Sequence, residues 1–536
     1  MDEQKSLGTS SQPGRTRVSK RGLLANGAPV TAAVLDWHYE GNGIAGDPYI
    51  VQWIADDPGN PLFWKSWYKW FIALSVASTT LCVSFCSSAY SGGLEGIKKD
   101  LGASHEVATV GLSLFVLGFG IGPLIWAPLG EMYGRRVVFF ATFAALTAFN
   151  AGTAAARNIE TVLILRLLGG TFGASPFTNA GGVIADIFDI RERGFAMCIF
   201  AVAPFMGPVI GPLVGGFLGE TEGWRWIQGV MAIFSGAVWI FVSLAVPETY
   251  SPVLLRRRAA ELSRLTGKVY LTKAQVEAES GKKPASLKDA LYTNLSRPWI
   301  LLFREPIVFL LSFYMAVIYG TLYMLFGAYP IVYQQYRGWS LGVSGLPFIG
   351  VAVGMLASVA YNIWIDNPRY LRLLHENNGT APPEARLPPG LVGAVALPVG
   401  LFIFAWTNGP ELPWAPSVIA GAPFGFAMVL VFLSVMNYLV DSYTIYAASV
   451  LAANSVFRAI FGAVFPLFTR QMYSGLGIHW ASTIPAFLSL ICLPFPFLFY
   501  RFGKRIRRKC KYSALAAAAT ASLQKSSGLA GPADAV

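Results

Sequence analysis

Two arginines stand where charge is expensive. Arg166, in "LILRLLGGTFGAS", and Arg458, in "NSVFRAIFGAV", each interrupt a long apolar run. On insertion scales a charge at the centre of a membrane-spanning helix costs about 2.5–3.5 kcal/mol. Arg166 lies five residues into its run, so it either snorkels to nearby headgroups or faces a water-filled cavity. Arg458 is deeper, twelve residues past Tyr446, and Asn454 precedes it by four residues, on the same helical face. A guanidinium stays protonated in proteins, so neither arginine gives up or takes on a proton itself. Its chemistry is electrostatic. It lowers the pKa of an acid brought near it, promoting proton release, and it attracts an anionic group. No Asp or Glu lies deep in the apolar runs; Asp441 stands at the end of one of them.

Three further groups of residues carry a geometric message. In "GPVIGPLVGG" (207–216), Gly207, Gly211 and Gly215 recur every four residues and form one bare helical stripe, beside Pro208, Pro212 and Gly216. In lipid such a stripe lets two backbones approach closely, and each proline frees a carbonyl and bends the helix. The stripe is either a static packing site or a hinge, a sliding contact between two halves that rock. In "APLGEMYGRRVV" (127–138), Gly130 and Gly134 permit a tight turn. Arg135 and Arg136 then reach headgroups or helix-end carbonyls, while Glu131 pairs with an arginine of another loop, Arg191 or Arg193 being nearest. The third group is aromatic: Tyr314, Tyr319 and Tyr323, with Phe424, Phe426 and Phe432, are candidates to line a permissive cavity, with plain helix packing as the alternative for each.

The elements that position these residues follow from hydropathy. The 536-residue chain is 54% apolar and 13% charged, with mean hydropathy +0.50. Twelve runs suit membrane-spanning helices: 70–94, 107–127, 137–156, 161–185, 195–219, 226–246, 306–330, 342–365, 389–409, 414–437, 446–469 and 482–500. They are continuous, not alternating, which excludes barrel strands. The reading is an all-α membrane protein with two six-helix bundles, 66–246 and 305–503. The rest divides into a disordered N-terminal tail (1–65), a central loop (247–304) whose "PVLLRRRAAELSRL" reads as an amphipathic helix on the membrane surface, and a basic C-terminal tail (504–536). The start lacks an apolar signal-peptide core. With the N-terminus inside, inner loops and the C-terminal tail hold fourteen Lys and Arg near the membrane against six in outer loops, so both termini are expected in the cytosol. The net charge of +12 is then that of loops beside anionic lipid, not of a nucleic-acid partner.

Enzyme classes find no support. No Walker A motif is present, the four histidines are isolated, and the five cysteines lack zinc spacing, so no metal or cofactor is expected. The sequons "NLS" (294–296) and "NGT" (378–380) fall in expected inner loops.

"APLGEMYGRR", the Arg166 segment "RLLGG" and "GPVIGPLVGG" together resemble the signatures of the major facilitator superfamily, the last matching its antiporter-associated fifth-span signature in full. Ala127 and Met132 depart from the first signature, standing where a Gly and a basic residue are usual. From about residue 58 onward, "DDPGNPLFWKSWYKW", "VPETYSPVLLRRRA", "YGTLYMLFGAYPIVY" and "DSYTIYAASVLAANSVFRAIFGAVFPLF" resemble the fungal twelve-span drug:proton antiporter group. The resemblance implies a monomeric secondary transporter in the plasma membrane that exports small lipophilic compounds in exchange for protons by alternating access. It also implies a coupling role for Arg166, with Asp441 the candidate proton carrier. Polyamine export and a non-transporting receptor of the same fold are the alternatives; the lack of deep acids favours neutral or anionic substrates over polycations.

Overall fold

The computed structural model describes residues 30–279, 287–377 and 381–526. The chain forms two compact units: Lys65–Tyr250 with Lys283 onward, and the residues up to Trp64 with Ser251–Lys282.

The larger unit is helical. Span 1 (Ser66–Ser88) continues through a 3-10 turn into Leu94–Leu101. Spans 2 and 3 are His105–Tyr133 and Arg135–Ala154, and span 4 is Ile159–Gly173 followed by Ser175–Ile187. Span 5 comprises Ile190–Phe200 and Ala203–Thr221, and span 6 is Trp224–Ala245. Span 7 (Pro306–Tyr329) ends in a π-helical segment, Pro330–Tyr336; span 8 is Phe348–Tyr361, extended to Glu376; span 9 is Pro388–Thr407; span 10 is Trp414–Ile419 and Gly421–Tyr443. Spans 11 and 12 share the stretch Ala447–Cys492, divided at Gly477, whose φ of 72° ends the helix; span 12 runs on through Pro494–Lys509. Among the described residues nine uninterrupted stretches are long and apolar enough to cross a membrane. The last of these, Trp414–Lys509, contains three spans, and span 4 falls outside the nine because Ala174 splits it into pieces of 15 and 13 residues. Twelve spans result.

Contacts between loops fix their alternation. On one face Arg135 (at the start of span 3) lies by Asp186 (at the end of span 4), and its amide donates to Glu248 (after span 6). On that same face the Tyr443 hydroxyl (after span 10) donates to Glu305 (before span 7), and Arg507 (end of span 12) pairs with Glu384 (between spans 8 and 9). On the opposite face Trp224 donates to Asp100, Arg225 to the Ala156 carbonyl, and Arg337 to the Leu412 carbonyl. Both halves therefore begin and end on one face, called here the terminal face.

The smaller unit corrects the expected boundaries. Residues 30–64, expected within a disordered tail, are folded: Tyr49–Val51 (β1) pairs in parallel with Tyr270–Thr272 (β2). The core joins Val34, Tyr39, Val51 and Ile54 to Ala259, Leu262 and Tyr270. The helix Ser251–Thr266, expected to lie on a membrane surface, spends Ala259 and Leu262 on this core. Its Arg258 forms a fully buried bidentate pair with Asp57 and stacks 4.7 Å from the Trp53 ring. The C-terminal end departs from a simple tail as well, since Lys511–Ser526 is helical and Ser513 Oγ donates to the Ser442 carbonyl at 3.1 Å. Residues 1–29, 527–536 and the sequon at 378–380 lie outside the described residues.

Breaking a buried ion pair by removing one partner costs about 3–5 kcal/mol, because it strands the other charge. Arg258→Met should therefore abolish hydrogen-exchange protection over residues 34–54 and 259–272, and adding Asp57→Leu should restore most of it. Unchanged protection in the single variant would show that the pair does not hold the unit together.

Candidate functional site

The seam between the first six and last six spans contains a narrow cavity, with room for about one water molecule, lined by Phe205, Met315, Ile318, Tyr319, Met428, Phe432 and Arg458. Helical periodicity places its walls. Met315, Ile318 and Tyr319 share one face of span 7, and Met428 and Phe432 share one face of span 10. Phe205 of span 5 closes the seam edge-on against Phe432, with ring centroids 4.7 Å apart. Drug-sized pockets begin at ~300 Å³, far above a space of one water, so the seam is contracted here.

Arg458 points its guanidinium between Tyr319 and Phe432, 5.3 and 5.1 Å from the ring centroids. Its one hydrogen bond is long, 3.4 Å from Nη2 to Ser455 Oγ, and its Nε is buried without a partner among the described residues. Asn454, grouped with it by sequence, turns instead to Ser312 of span 7 at 3.3 Å. Of the six aromatic candidates, Tyr319 and Phe432 line the cavity. The Tyr319 hydroxyl leads at 3.4 Å to Tyr323, which meets Ser87 of span 1 at 2.8 Å across the two halves. Tyr314 and Phe424 are buried but do not line the cavity. Phe205, Met315, Ile318 and Met428 were not singled out from sequence. The period of three and four in span 7 was their one available signal.

Arg166 neither snorkels nor faces water. It is 1% exposed, and each of its three nitrogens donates to a backbone carbonyl: Nε to Gly111 (3.2 Å), Nη1 to Cys86 (2.8 Å) and Nη2 to Ser87 (3.0 Å). Tyr90 and Phe115 cover it at 4.4 and 4.1 Å. Arg166 thus binds span 4 to spans 1 and 2, and its charge is met by peptide dipoles. Asp441 meets neither arginine; it is paired at 2.9 Å with Arg386 on the terminal face.

The glycine stripe is a contact within the first half. A Cβ at Gly207 would stand 2.6 Å from the Phe85 nitrogen, at Gly211 2.7 Å from the Ala89 nitrogen, and at Gly215 2.3 Å from the Ala89 oxygen. Span 5 therefore lies backbone to backbone on span 1. The neighbouring strip meets the other half: a Cβ on Gly216 would sit 2.9 Å from the Leu341 oxygen, and one on Gly345 2.8 Å from the Pro212 oxygen. Glu220 completes this seam on the face opposite the termini, accepting from the Gly342 amide (2.7 Å) and Ser340 Oγ (2.9 Å).

On the terminal face the acid that organises the 2–3 turn is Glu248, not Glu131. Glu248 accepts from the backbone amides of Arg135 (3.0 Å) and Arg136 (3.3 Å), capping span 3 at its positive end, and from the amides of Thr249 and Tyr250. Gly134, at φ 100°, brings the chain so close that a Cβ would lie 2.2 Å from that carboxylate. Arg135 is buried, donates to Asn179 at 2.8 Å and stacks 4.9 Å from Tyr250; burial raises the Tyr250 phenol above its ordinary pKa. Arg136 donates to the Ser243 carbonyl at 3.0 Å. Glu131 is exposed and forms no ion pair among the described residues; the Arg191 side chain lies outside them. The acid in "VPETY", immediately after span 6, was the signal for Glu248. The second half repeats the theme with Asp366 and Arg369 at 2.6 Å.

A family model described as Major Facilitator Superfamily matches residues 76–466. The chain belongs to that superfamily. It is 60% identical over 492 residues to the "Major facilitator superfamily multidrug transporter mdrA" of Aspergillus fumigatus, covering 92% of this chain and 80% of that protein. It is 61% identical over 484 residues to the "MFS-type efflux pump MFS2" of Trichophyton rubrum, covering 90% and 80%. With "Efflux pump FUB11" of Gibberella moniliformis it shares 51% over 488 residues, covering 91% and 82%. Among solved structures, the proton:xylose symporter XylE bound to 6-bromo-6-deoxy-D-glucose superposes with a TM-score of 0.58 at 15% identity, covering 82% of this chain and 96% of that one; the likeness is one of fold.

Two expectations follow. Hydrogen bonds to a charged group contribute about 1.5–3 kcal/mol each, so thermal unfolding of the purified protein should rank wild type above Arg166→Lys and Arg166→Lys above Arg166→Ala. Equal midpoints would contradict a structural clamp. Gly211→Leu, by wedging span 5 off span 1, should cut the yield of correctly folded protein itself; wild-type yield with only transport lost would return the stripe to a role in motion.

Proposed function

We propose that this protein exports small lipophilic compounds in exchange for protons, working as a monomer in the plasma membrane with the terminal face toward the cytosol. The observation that carries the reading is the apolar cavity at the seam, walled by side chains of both halves. A site shared by two bundles changes its access when the bundles rock. The names of the relatives, a multidrug transporter and efflux pumps, support the direction and the breadth of substrate. The basic loops on the terminal face support a cytosolic placement.

In this reading the seam on the outer face closes through Glu220 and the 340–345 connector, and the cavity empties outward when those contacts part. Asp441 is the coupling acid, and its pair with Arg386 is the cytosolic contact that opens and closes with each cycle. Arg166 and the Glu248 cap keep the first bundle rigid while it moves. The cavity is lined by an arginine and no acid, which disfavours a polyamine as cargo.

The test is flux in proteoliposomes with inside-out protein and an acidic lumen, against a panel of lipophilic dyes and antifungal compounds. Accumulation should collapse to the passive level when a protonophore removes the gradient. Accumulation that ignores the gradient would remove proton coupling, and no accumulation of any compound would remove export.

A further inference from the structure

The two buried arginines are in opposite electrostatic situations. Arg166 spends Nε, Nη1 and Nη2 on three carbonyls. Arg458 has one long bond to Ser455 and a buried Nε with no partner among the described residues. No carboxylate lines its cavity. Of the acids of the second half, four lie at the terminal face and are already engaged: Asp441 with Arg386, Asp366 with Arg369, Glu384 with Arg507, and Glu305 with Tyr443 and the Tyr512 amide; Glu376 and Glu411 are exposed beyond the span ends. A guanidinium left short of acceptors in an apolar enclosure is an unfilled anion site, because a planar fork matches a carboxylate in two parallel hydrogen bonds.

The walls say what else the anion carries. Met315 and Met428 are polarizable and adaptable, and Phe205, Phe432 and Tyr319 offer ring faces and edges. The edge-on contact of Phe205 with Phe432 spans the seam and occupies the place that a ligand's ring would take between them. Drawn together as it is here, the cavity has room for about one water molecule, so a cargo enters only as Phe205 and Phe432 part. We propose that Arg458 is the substrate-recognition residue of this cavity and that the favoured cargo is a small lipophilic carboxylate, its carboxyl on Arg458 and its aromatic or alkyl body among Phe205, Met315, Met428 and Phe432. This rests on the export reading and names the substrate class for the same site. It also suits the energetics of exchange, because an outgoing monoanion and an incoming proton are both driven by an inside-negative membrane potential.

Binding separates this inference from export itself. The purified full chain in detergent is titrated with matched pairs of probes: benzoate with benzamide, phenylacetate with phenylacetamide, and 4-phenylbutyrate with 4-phenylbutyramide. In at least one pair the wild type should bind the carboxylate tenfold or more tightly than its isosteric amide. Arg458→Gln should bring that ratio to near one, and Arg458→Lys, which keeps charge without the fork, should leave it in between. Phe432→Ala should weaken both members of a pair alike. A wild-type ratio within twofold for every pair, no binding of any carboxylate, or an undiminished ratio in Arg458→Gln would each overturn the proposal. Should Arg458→Gln not fold, the wild-type ratio and Arg458→Lys still decide. Gradient-driven flux of neutral compounds without carboxylate preference would leave export standing and remove this inference alone.

Discussion

A charge held inside a membrane-spanning bundle must find its hydrogen bonds there, and this requirement organises the protein. With no acid deep in any span, the two intramembrane arginines have only dipoles, rings and each other's surroundings to draw on. Arg166 draws on the carbonyls of two neighbouring helices, and so fixes spans 1, 2 and 4 as one body. Span 5 joins that body through bare glycine backbone, which gains its stability from close van der Waals contact where the hydrophobic effect gives none. The surface this body turns to the other half is the seam. There Arg458 faces methionines and aromatic rings, and the halves are linked by the hydroxyl chain from Ser87 through Tyr323 to Tyr319.

The ends of the bundle obey different physics, because water and headgroups compete for every charge. At the terminal face, carboxylates are used to cap helices and tie loops. Glu248 collects four backbone amides, and the second half uses the Asp366–Arg369, Arg386–Asp441 and Glu384–Arg507 pairs. At the opposite face the closure is sparse: Glu220 holds two donors of the connector, beside the Gly216 and Gly345 backbone approaches. A few polar contacts between preformed surfaces suit a contact that is remade often, since no large apolar area must be exposed when it opens.

How much of this was legible in the sequence depends on the range of the interaction. The spans were, because continuous charge-free runs of helical length leave few alternatives. So was the seam's aromatic character in span 7. The partition at Ala174 within span 4 and the turn at Gly477 were less so, since an apolar run does not mark where its helix bends. Arg166's partners are carbonyls, which every residue possesses, so no side-chain pattern pointed to them. Glu131 was preferred to Glu248 because it is near in sequence, whereas the acid that caps span 3 arrives from 113 residues away. The small unit was hidden for the same reason: Asp57 and Arg258 are 201 residues apart, and each alone reads as a solvated charge.

Alternating access through the seam is the central claim, and the Glu220 closure is where it is most directly measured. Spin labels at Thr221→Cys and Tyr336→Cys, both exposed positions on the two sides of that closure, report its width by double electron–electron resonance in liposomes. The account predicts two distance populations, a short one matching the closed contact and a longer one whose share changes with luminal pH and with an exported compound. A single short distance under every condition, in protein that still transports, would contradict it.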